Sequence, residues 1–286
     1  MAPRRSEQLR SRRTKSARYA VGFIGGGNMA TALIKGLVGA GLYRARQLCA
    51  SDVDPRKRQA LKRRLGVAVS ADNASVVRET RVVVLAVKPQ IMDAVLAEIR
   101  PAITPAHLCI SIAAGIPTSR LEAALGPRAR VVRVMPNTPA LLGRGMAVVA
   151  RGRHATGADE RLALKLLRAV GKARAVSDER WLDAVTGLSG SGPAFVYLFA
   201  EGLIAGGVTA GLSPELAEEL ALQTLTGAAA MLQETGETPQ RLREMVTSPG
   251  GTTLAGLGEL ERRGFLDAVA EAVLVAARRS IELGRG

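Results

Sequence analysis

The sequence predicts an α/β domain built on a doubly wound sheet, followed by an all-helical domain. Short apolar strand-like segments alternate with helix-like segments from Tyr19 to about Ser177, and from about Glu179 the strand signal stops. This alternation is typical of a parallel sheet with helices on both faces. A glycine cluster directly after the first strand-like segment is a further observation, and it indicates a nucleotide-binding turn.

The strand-like segments of the first part are short, apolar and rich in β-branched residues. The run from Arg81 is continuously apolar, as expected for a strand that is buried on both faces. The predicted strands are Tyr19–Ile24, Gln47–Ser51, Val67–Ser70, Arg81–Val87, Leu108–Ala113, Arg130–Met135, Met146–Ala150 and Ala173–Ser177.

Helix-like segments lie between these strands, and they make up the whole second part. Asp72 can cap one short helix. The other helices of the first part are Asn28–Ala40, the strongly basic Pro55–Arg64, Gln90–Ile99 and Ala158–Val170. Those of the second part are Pro193–Gly211, Pro214–Thr235, Pro239–Val246, Thr252–Arg263 and Leu266–Leu283.

These patterns divide the chain into a basic arm at residues 1–18, a dinucleotide-binding domain at residues 19–178 and a helical domain at residues 179–286. The segment Leu220–Leu232 is apolar on more than one helix face. A helix of that kind must be buried. We therefore expect a homodimer built through the helical domain.

Composition and charge limit the function classes. The chain has 286 residues, of which 47% are hydrophobic, and no apolar run approaches the roughly 20 residues of a membrane span. The formal net charge is +15, and the first eighteen residues hold seven basic residues against one acidic residue. Such an arm cannot fold alone and could bind nucleic acid or act as a targeting peptide. We expect a disordered arm, no membrane association, and no functional nucleic-acid binding.

The cysteine and histidine content is low. Cys49 and Cys109 sit in apolar segments, which favours buried thiols in a reducing compartment, and we expect a cytoplasmic protein. Both histidines, His107 and His154, are expected at the surface. Because these residues are few and scattered, we expect no metal site.

The first strand leads into a dinucleotide-binding fingerprint of the G-x-G-x-x-A form. Gly25 permits the tight turn, Gly27 lets the backbone approach a pyrophosphate, and Ala30 lets the helix pack on the strand. The start of the helix then offers N–H groups to the phosphates. The residues expected to meet the cofactor here are Ile24, Gly25, Gly26, Gly27, Asn28 and Met29.

The end of the second strand should contact the adenosine ribose. Asp52 there could bond the ribose hydroxyls of NADH, whereas Ser51 together with the nearby Arg56 and Lys57 would suit the 2′-phosphate of NADPH. Asp52 favours tolerance of NADH, and the choice between NADPH and NADH stays open.

Three further clusters follow strands or open helices. Two are expected at the carboxyl edge of the sheet, where ligands bind, and Asn137 is placed to meet the nicotinamide. The third opens a helix with two glycines and two threonines, which suits a small carboxylate. The clusters are Ala86-Val87-Lys88-Pro89, Val134-Met135-Pro136-Asn137 and Ser248-Pro249-Gly250-Gly251-Thr252-Thr253.

The reaction class is indicated by a type of catalytic set that does not accompany these clusters. No Ser-His-Asp set is evident in the sequence. Reduction of a ketone usually needs a strong proton donor, whereas an imine nitrogen can carry its proton before the hydride arrives. An imine site therefore needs mainly positioning and a hydrogen bond at nitrogen.

Four segments of the sequence together resemble pyrroline-5-carboxylate reductase. They are the glycine fingerprint, the clusters Ala86–Pro89 and Ser248–Thr253, and the run Val185-Thr186-Gly187-Leu188-Ser189-Gly190-Ser191-Gly192-Pro193-Ala194-Phe195. The resemblance covers about Tyr19 to Leu283. It implies a Rossmann-like domain joined to a helical domain that interlocks with a partner chain. It also implies dimers that often assemble into decamers, and a substrate pocket at the dimer interface.

The resemblance also assigns site residues. Thr253 would hydrogen-bond the ring nitrogen of 1-pyrroline-5-carboxylate, and Gly251 and Thr252 would help to hold its carboxylate. Glu179 matches a position near the substrate, and Asn73 a cofactor contact on the adenine side. Asp52 replaces what can be a neutral residue, which leaves a preference for NADPH open, and Met245 stands where some members carry a polar residue.

Two other interpretations remain. One is another imine or β-hydroxyacid reductase on the same architecture; a hydroxyacid enzyme would need a catalytic lysine in the first helix of the helical domain, and Gly192–Gly211 has none. The other is a nucleic-acid or membrane-surface binder driven by the positive charge. Deletion of residues 1–18 distinguishes them, because an enzyme should keep its activity and an arm-driven binder should not keep its binding.

Overall fold

The computed structural model describes residues 17–285. The chain forms two compact units: one runs through Leu182 and takes in the residues from Leu283 onward, and the other is Asp183–Glu282. The predicted basic arm lies outside the described residues except for its last two positions. The predicted doubly wound α/β domain followed by a helical domain is confirmed.

A mixed sheet forms the centre of the first unit. Its strands are β1 Val21–Ile24, β2 Leu48–Ser51, β3 Ala68–Ser70, β4 Val82–Leu85, β5 Leu108–Ser111, β6 Arg130–Met135, β7 Gly145–Arg151 and β8 Gly171–Val176. They are arranged in the order β3-β2-β1-β4-β5-β6-β7-β8. The neighbouring strands are parallel except for β6 and β7, which are antiparallel.

Helices cover both faces of this sheet. They are α1 Asn28–Gly39, α2 Pro55–Leu65, α3 Asn73–Glu79, α4 Met92–Ile99, α5 Thr118–Leu125 and α6 Gly157–Leu167. The two sides of β4 show why both faces are buried: Val82 and Val84 pack into one core with α1 and α6, and Val83 and Leu85 into the other with α4 and α5. A strand buried on both faces needs a continuous apolar sequence, and β4 has one.

Two local predictions differ from the structure. The helix predicted from Gln90 begins with a 3-10 turn at Pro89–Ile91 before α4, and helix α5 was not predicted. α5 has eight residues and buries only Leu121, Leu125 and Thr118, so its apolar pattern is weak. Pro117 before it and Gly126 after it are the helix boundary signals that the sequence did offer.

His107 is buried, so its predicted surface location is wrong. The Thr104 N–H donates to its Nδ1 at 2.9 Å, and its Nε2 lies 3.2 Å from the Val77 carbonyl oxygen. These two bonds fit a ring that is protonated on Nε2 and joins the turn before β5 to α3. His154 is exposed, as expected.

The buried thiols lead to a prediction about reactivity. Burial raises the pKa of both Cys49 and Cys109 to about 12. At pH 8 roughly one thiol in ten thousand would be ionised, and the thiolate is the reactive form. We expect no rapid reaction of the native protein with a disulfide reagent such as DTNB, and release of both thiols in guanidinium chloride. Rapid reaction of either thiol in the native protein would contradict this burial.

The second unit is helical. Its elements are α7 Trp181–Val185, which begins in the first unit, a π-helical turn Thr186–Gly190, α8 Gly192–Thr209, α9 Pro214–Glu234, α10 Pro239–Met245, α11 Thr252–Arg262 and α12 Phe265–Arg285. Two starts follow one rule: Ser213 and Thr238 accept a backbone N–H with their side chains, and a proline follows each. Such caps explain why α9 and α10 were predicted closely from sequence.

Large apolar side chains of this unit are exposed in the single chain. Among its described residues the buried apolar side chains are alanines, namely Ala200, Ala217 and Ala221, whereas Tyr197 and Leu198 are 57% and 68% exposed. A unit without large buried side chains cannot be stable alone in water, because the hydrophobic effect scales with the apolar area buried. Another surface must cover these helices.

One helical stretch of the described residues, Trp181–Thr209, is long and apolar enough to cross a membrane by length and composition, and an 18-residue window within it has a mean hydropathy of 1.3. This differs from the expectation that no run approaches span length. The sequence interrupts the stretch with Asp183 and several Gly and Ser residues, whereas the π turn joins its two parts into one helix. A helix at an oligomer interface has the same composition.

Candidate cofactor and substrate sites

The carboxyl ends of the central strands meet at one edge of the first unit. Ile24, at the end of β1, is paired with Ser51 of β2 on one side and with Leu85 of β4 on the other. The chain therefore turns to opposite sides of β1, which is the topological switch point where ligands bind in open α/β sheets. The loops after β1, β2 and β4 lie side by side there.

The glycine loop after β1 has two different requirements for glycine. Gly25 has a φ of +98°, and a Cβ on it would lie 2.6 Å from the Ala86 carbonyl oxygen. Gly27 has an extended backbone with φ of −73°, and a Cβ there would meet nothing within 4 Å. The turn itself requires Gly25, whereas the open space beside Gly27 is what a bound pyrophosphate would use.

Helix α1 begins at this open space. Gly27 is its N-cap and provides no side-chain cap, and Thr31 is the first residue whose N–H returns to the Gly27 carbonyl, at 2.9 Å. The preceding N–H groups of the first turn have no partner within the helix and are suited to phosphate oxygens. Asn28 is exposed and Met29 half-buried here, whereas the Ile24 side chain is fully buried. This geometry fits a dinucleotide.

Asp52 is turned into the protein. The residue is 9% exposed; its Oδ2 accepts a hydrogen bond from the Gly26 N–H at 2.8 Å, and its Oδ1 accepts one from the Asp54 N–H at 2.8 Å. The Lys57 Nζ lies 3.6 Å from Oδ2. In this arrangement the Asp52 carboxylate bonds to the protein itself, and its predicted contact with the ribose stays a prediction.

Ser51 and Asn73 are also turned inward. Ser51 is fully buried, and its hydroxyl donates to the Asn73 Oδ1 at 2.7 Å. Asn73 is 6% exposed, and its Nδ2 donates to the Glu98 Oε2 at 2.7 Å. Both side chains join β2 to α3 and α4, and the cofactor contacts predicted for them stay predictions.

The loop after β4 lies beside the glycine loop. The Ala86 N–H donates to the Ile24 carbonyl oxygen at 2.8 Å, and Val87 lies next to Gly25. Ala86, Val87 and Pro89 are half-buried and Lys88 is exposed. These residues form one wall of the predicted cofactor crevice.

The residues after β6 supply less open surface. Val134 and Pro136 are buried, and Met135 and Asn137 are half-buried. The Asn137 Oδ1 accepts the Met146 N–H at 2.8 Å, which fixes the start of β7. The contact predicted between Asn137 and nicotinamide stays a prediction. Because the Asn137 Oδ1 already accepts the Met146 N–H, such a contact would use the amide nitrogen.

Sequence reasoning missed the partners of Glu179. Its Oε1 accepts the Thr118 N–H at 2.7 Å and lies 3.1 Å from the Arg133 Nη1, and its Oε2 accepts the Thr118 hydroxyl. The Arg133 side chain is 5% exposed in β6. An arginine flanked by valines in a predicted strand was the available signal, because a buried arginine needs a carboxylate partner. Glu179 therefore anchors the start of α5.

This anchor gives a stability prediction. Glu179→Ala removes three charge-assisted contacts, and we expect the free energy of unfolding to fall by about 1.5–3 kcal/mol. The control is Glu160→Ala, which removes a partly exposed pair with Arg151 and should cost at most about 1 kcal/mol. Chemical denaturation at one fixed protein concentration compares them, and equal losses would contradict the anchoring role.

In the second unit, the segment Ser248–Thr253 forms a tight turn into α11. Gly250 has a φ of +70°, and the Gly251 N–H donates to the Ser248 carbonyl oxygen at 2.9 Å. A Cβ on Gly251 would lie 2.5 Å from the Ser248 Oγ. Gly251 is the N-cap of α11 without a side-chain cap, Thr252 is exposed and Thr253 half-buried. The first N–H groups of α11 and two hydroxyls are thus side by side.

The glycine-serine run before α8 has a packing role. It forms the π turn, and a Cβ on Gly187 would overlap the Val273 carbonyl oxygen of α12. Nearby, the Ser280 hydroxyl donates to the Asp183 Oδ1 at 2.8 Å. Glycine at position 187 therefore lets the turn lie directly against the backbone of α12.

Comparison with known proteins agrees with both units. Residues 179–283 match the family model for pyrroline-5-carboxylate reductase dimerisation, and residues 20–115 match that for NADP oxidoreductase, coenzyme F420-dependent. The pyrroline-5-carboxylate reductase of Methanosarcina acetivorans is 46% identical over 93% of this chain and 98% of its own length. That of Pisum sativum is 43% identical over 93% of this chain and 96% of its own.

Solved structures show the same relationship. The Plasmodium falciparum pyrroline carboxylate reductase with NADP bound has a TM-score of 0.85 and 33% identity, covering 94% of this chain and 99% of that one. The Coxiella burnetii pyrroline-5-carboxylate reductase has a TM-score of 0.85 and 36% identity, covering 93% and 98%. With identity of this level over nearly the whole length of both partners, the chain belongs to the pyrroline-5-carboxylate reductase family.

Proposed function

We propose that this chain reduces 1-pyrroline-5-carboxylate to L-proline with NADPH or NADH, the last step of proline biosynthesis. The observation that carries the proposal is the combination of a dinucleotide-type glycine loop at the sheet switch point with a dimerisation unit of this family. The named relatives, which match over 93% of the chain, support the same reaction.

The chain's own residues would hold the cofactor at the carboxyl edge of the sheet. Gly27 and the first turn of α1 would bind the pyrophosphate, and the loop Ala86–Pro89 would form the wall beside it. A bound nicotinamide cofactor supplies the hydride. Ser51, Asp52 and Asn73 would act indirectly, by fixing the loops that surround the crevice.

The substrate would bind at the start of α11. Its carboxylate would accept hydrogen bonds from backbone N–H groups near Gly251 and Thr252, because the start of a helix favours negative charge. The protonated ring nitrogen would donate to the Thr253 hydroxyl, which orients the C=N carbon for hydride transfer. Thr253 does not act as an acid, and no acid is needed, since the imine nitrogen is already protonated.

The assembly we propose is a homodimer through the second unit, and such dimers would assemble further into a decamer. The match to a dimerisation family supports homo-oligomerisation, and the exposed Tyr197 and Leu198 are side chains that a second copy would cover. A cytoplasmic location without membrane or nucleic-acid binding remains our prediction. Removing residues 1–18 tests the last point, because reductase activity should survive the deletion, whereas nucleic-acid binding driven by the arm would be lost.

The direct test follows the loss of nicotinamide absorbance with 1-pyrroline-5-carboxylate. Turnover that requires this substrate, in a sample shown to be folded by circular dichroism, supports the proposal. A folded protein that binds nicotinamide nucleotides and turns over other cyclic imines instead would favour a different imine reductase. The β-hydroxyacid alternative is disfavoured, since Gly192–Thr209 contains no lysine.

A further inference from the structure

The chain passes between its two units twice, and residues of the first unit that flank the two crossings lie against one segment. The crossings fall after Leu182 and before Leu283. Glu179 precedes the first crossing, and Gly284 follows the second. Both lie against Gly115–Thr118, which ends the connection from β5 to the first residue of α5. We call it the clamped segment.

Glu179 holds one end of the clamped segment. Its Oε1 accepts a hydrogen bond from the Thr118 N–H at 2.7 Å, and its Oε2 accepts one from the Thr118 hydroxyl. The Nη1 of the buried Arg133 lies 3.1 Å from Oε1 and keeps the carboxylate in this direction. The Glu179 carbonyl oxygen accepts a hydrogen bond from the Leu182 N–H at 2.9 Å. This one residue therefore joins the start of α5 to the start of α7.

Gly284 holds the other end of the clamped segment. It lies in the last turn of α12, and a Cβ at this position would overlap the Gly115 carbonyl oxygen and lie 3.7 Å from the Pro117 Cδ. Gly115 has a φ of +77°, so the chain turns sharply there. Glycine at position 284 lets the end of the helix lie directly on the backbone of this turn.

The connection that contains the clamped segment leaves the sheet beside the proposed cofactor crevice. Ser111, at the end of β5, is paired with Leu85 of β4, and the Ile112 N–H donates to the Leu85 carbonyl oxygen at 3.1 Å. The loop after β4 is the proposed wall of the crevice, and β6, which leads to Asn137, flanks β5 on its other side. The connection after β5 therefore starts between that wall and the strand that leads to the predicted nicotinamide contact.

The rate of hydride transfer depends steeply on the distance between the reacting atoms. They must be held about 3–3.5 Å apart, and a displacement of about 1 Å can cost roughly 100-fold in rate. Loops at a ligand site belong to the least stable parts of a fold unless bonds from other elements hold them. The two contacts of the clamped segment are bonds of this kind.

We propose that Glu179 is a positioning residue for hydride transfer, and that Glu179 and Gly284 together fix the connection after β5 at the nicotinamide end of the crevice. In place of the substrate contact implied by the family resemblance, Glu179 acts through Thr118 and touches neither cofactor nor substrate. This inference rests on the proposed function and adds two residues that control its rate from outside the site.

Single-turnover kinetics of the full-length protein with bound NADPH test the Glu179 end. Thr118→Val keeps the shape of the side chain and removes the hydroxyl that bonds Glu179. We expect hydride transfer to 1-pyrroline-5-carboxylate to slow at least about tenfold, while the dissociation constant of NADPH stays within about twofold. Thr118→Ser, which keeps the hydroxyl, should recover most of the rate.

The matched control is Thr156→Val at the start of α6. The Thr156 hydroxyl bonds the Asp159 carboxylate at 2.9 Å, so this variant also loses a bond between a threonine and a carboxylate at a helix start. It should lower the thermal stability and leave the rate of hydride transfer unchanged, because α6 follows the opposite end of β7. Equal rates of hydride transfer in Thr118→Val and Thr156→Val would overturn the positioning role.

Gly284→Ala tests the other end of the clamped segment. The added methyl group would displace the Gly115 backbone, and we expect hydride transfer to slow by roughly five- to tenfold. Gly39→Ala adds the same group at the end of α1, where a Cβ meets nothing within 4 Å, and should keep the wild-type rate. A wild-type rate in Gly284→Ala would overturn the two-ended clamp.

Hydrogen exchange measured by mass spectrometry locates the effect in Glu179→Ala, under conditions where the variant is folded. We expect the peptide over residues 112–121 to exchange at least about tenfold faster than in wild type, and the peptide over residues 21–31 to stay unchanged. Unchanged exchange over 112–121, or equal acceleration of both peptides, would overturn this inference alone. A folded wild type that binds NADPH but transfers no hydride to 1-pyrroline-5-carboxylate would overturn the proposed function as well.

Discussion

Gly27→Val is expected to abolish tight cofactor binding while the protein stays folded. The Gly27 backbone is extended with φ of −73°, which any residue adopts, and a Cβ there meets nothing within 4 Å. The valine would therefore cause no strain, but its side chain would fill the space that the pyrophosphate needs. Loss of several charge-assisted bonds of about 1.5–3 kcal/mol each corresponds to a rise in the NADPH dissociation constant of at least about 100-fold.

The control for this variant lies in the same helix. Gly39→Val adds the same atoms at the other end of α1, where a Cβ also meets nothing within 4 Å. We expect wild-type cofactor affinity for it. Valine is a poor N-cap, so Gly27→Val should lose about 1 kcal/mol of stability. The account of the glycine loop would be wrong if Gly27→Val bound NADPH like the control in a fluorescence titration.

Thr253→Val is expected to lower kcat/KM for 1-pyrroline-5-carboxylate by about 10- to 100-fold. The change removes one hydroxyl at the start of α11 and keeps the shape of the side chain. A hydrogen bond to a charged group contributes about 1.5–3 kcal/mol, and the protonated ring nitrogen is such a group. The KM for NADPH should stay within about twofold, because Thr253 is proposed to contact substrate alone.

Thr253→Ser is the matched variant, since it keeps the hydroxyl and loses a methyl group. We expect it to recover most of the activity that Thr253→Val loses. Steady-state kinetics with both substrates varied would measure the effect. Equal activity of the valine and wild-type proteins would remove Thr253 from the site and leave the reaction itself in place.

The local parts of the fold were predictable because local sequence determines them. The glycine turn and α1 follow from Gly25, Gly27 and a helical run, and α9 and α10 begin at Ser-Pro and Thr-Pro pairs. The order of the strands was not predictable in this way, because pairing of β1 with β4 joins segments that are far apart in sequence. Helix α5 was missed because its short sequence has few apolar positions.

The sequence predicted the location of the site residues more reliably than the contacts that their side chains make. The loops after β1, β2 and β4 do lie together, but the directions of the Ser51, Asp52 and Asn73 side chains depend on partners from other elements. The bond between Asp52 and Gly26 spans 26 positions, and the pair Arg133–Glu179 spans 46. Pattern reading shows which residues end a strand, whereas the packed structure decides whether their polar atoms face a ligand or the protein.

The central claim is hydride transfer to the C=N carbon of 1-pyrroline-5-carboxylate, and isotope transfer tests it most directly. The protein would be incubated with this substrate and NADPH that carries deuterium at the transferred position of the nicotinamide, and the product would be analysed by mass spectrometry and NMR. The account predicts L-proline with one deuterium on the ring carbon that was double-bonded to nitrogen. Oxidation of the cofactor without labelled proline, by a folded protein that binds NADPH, would contradict it.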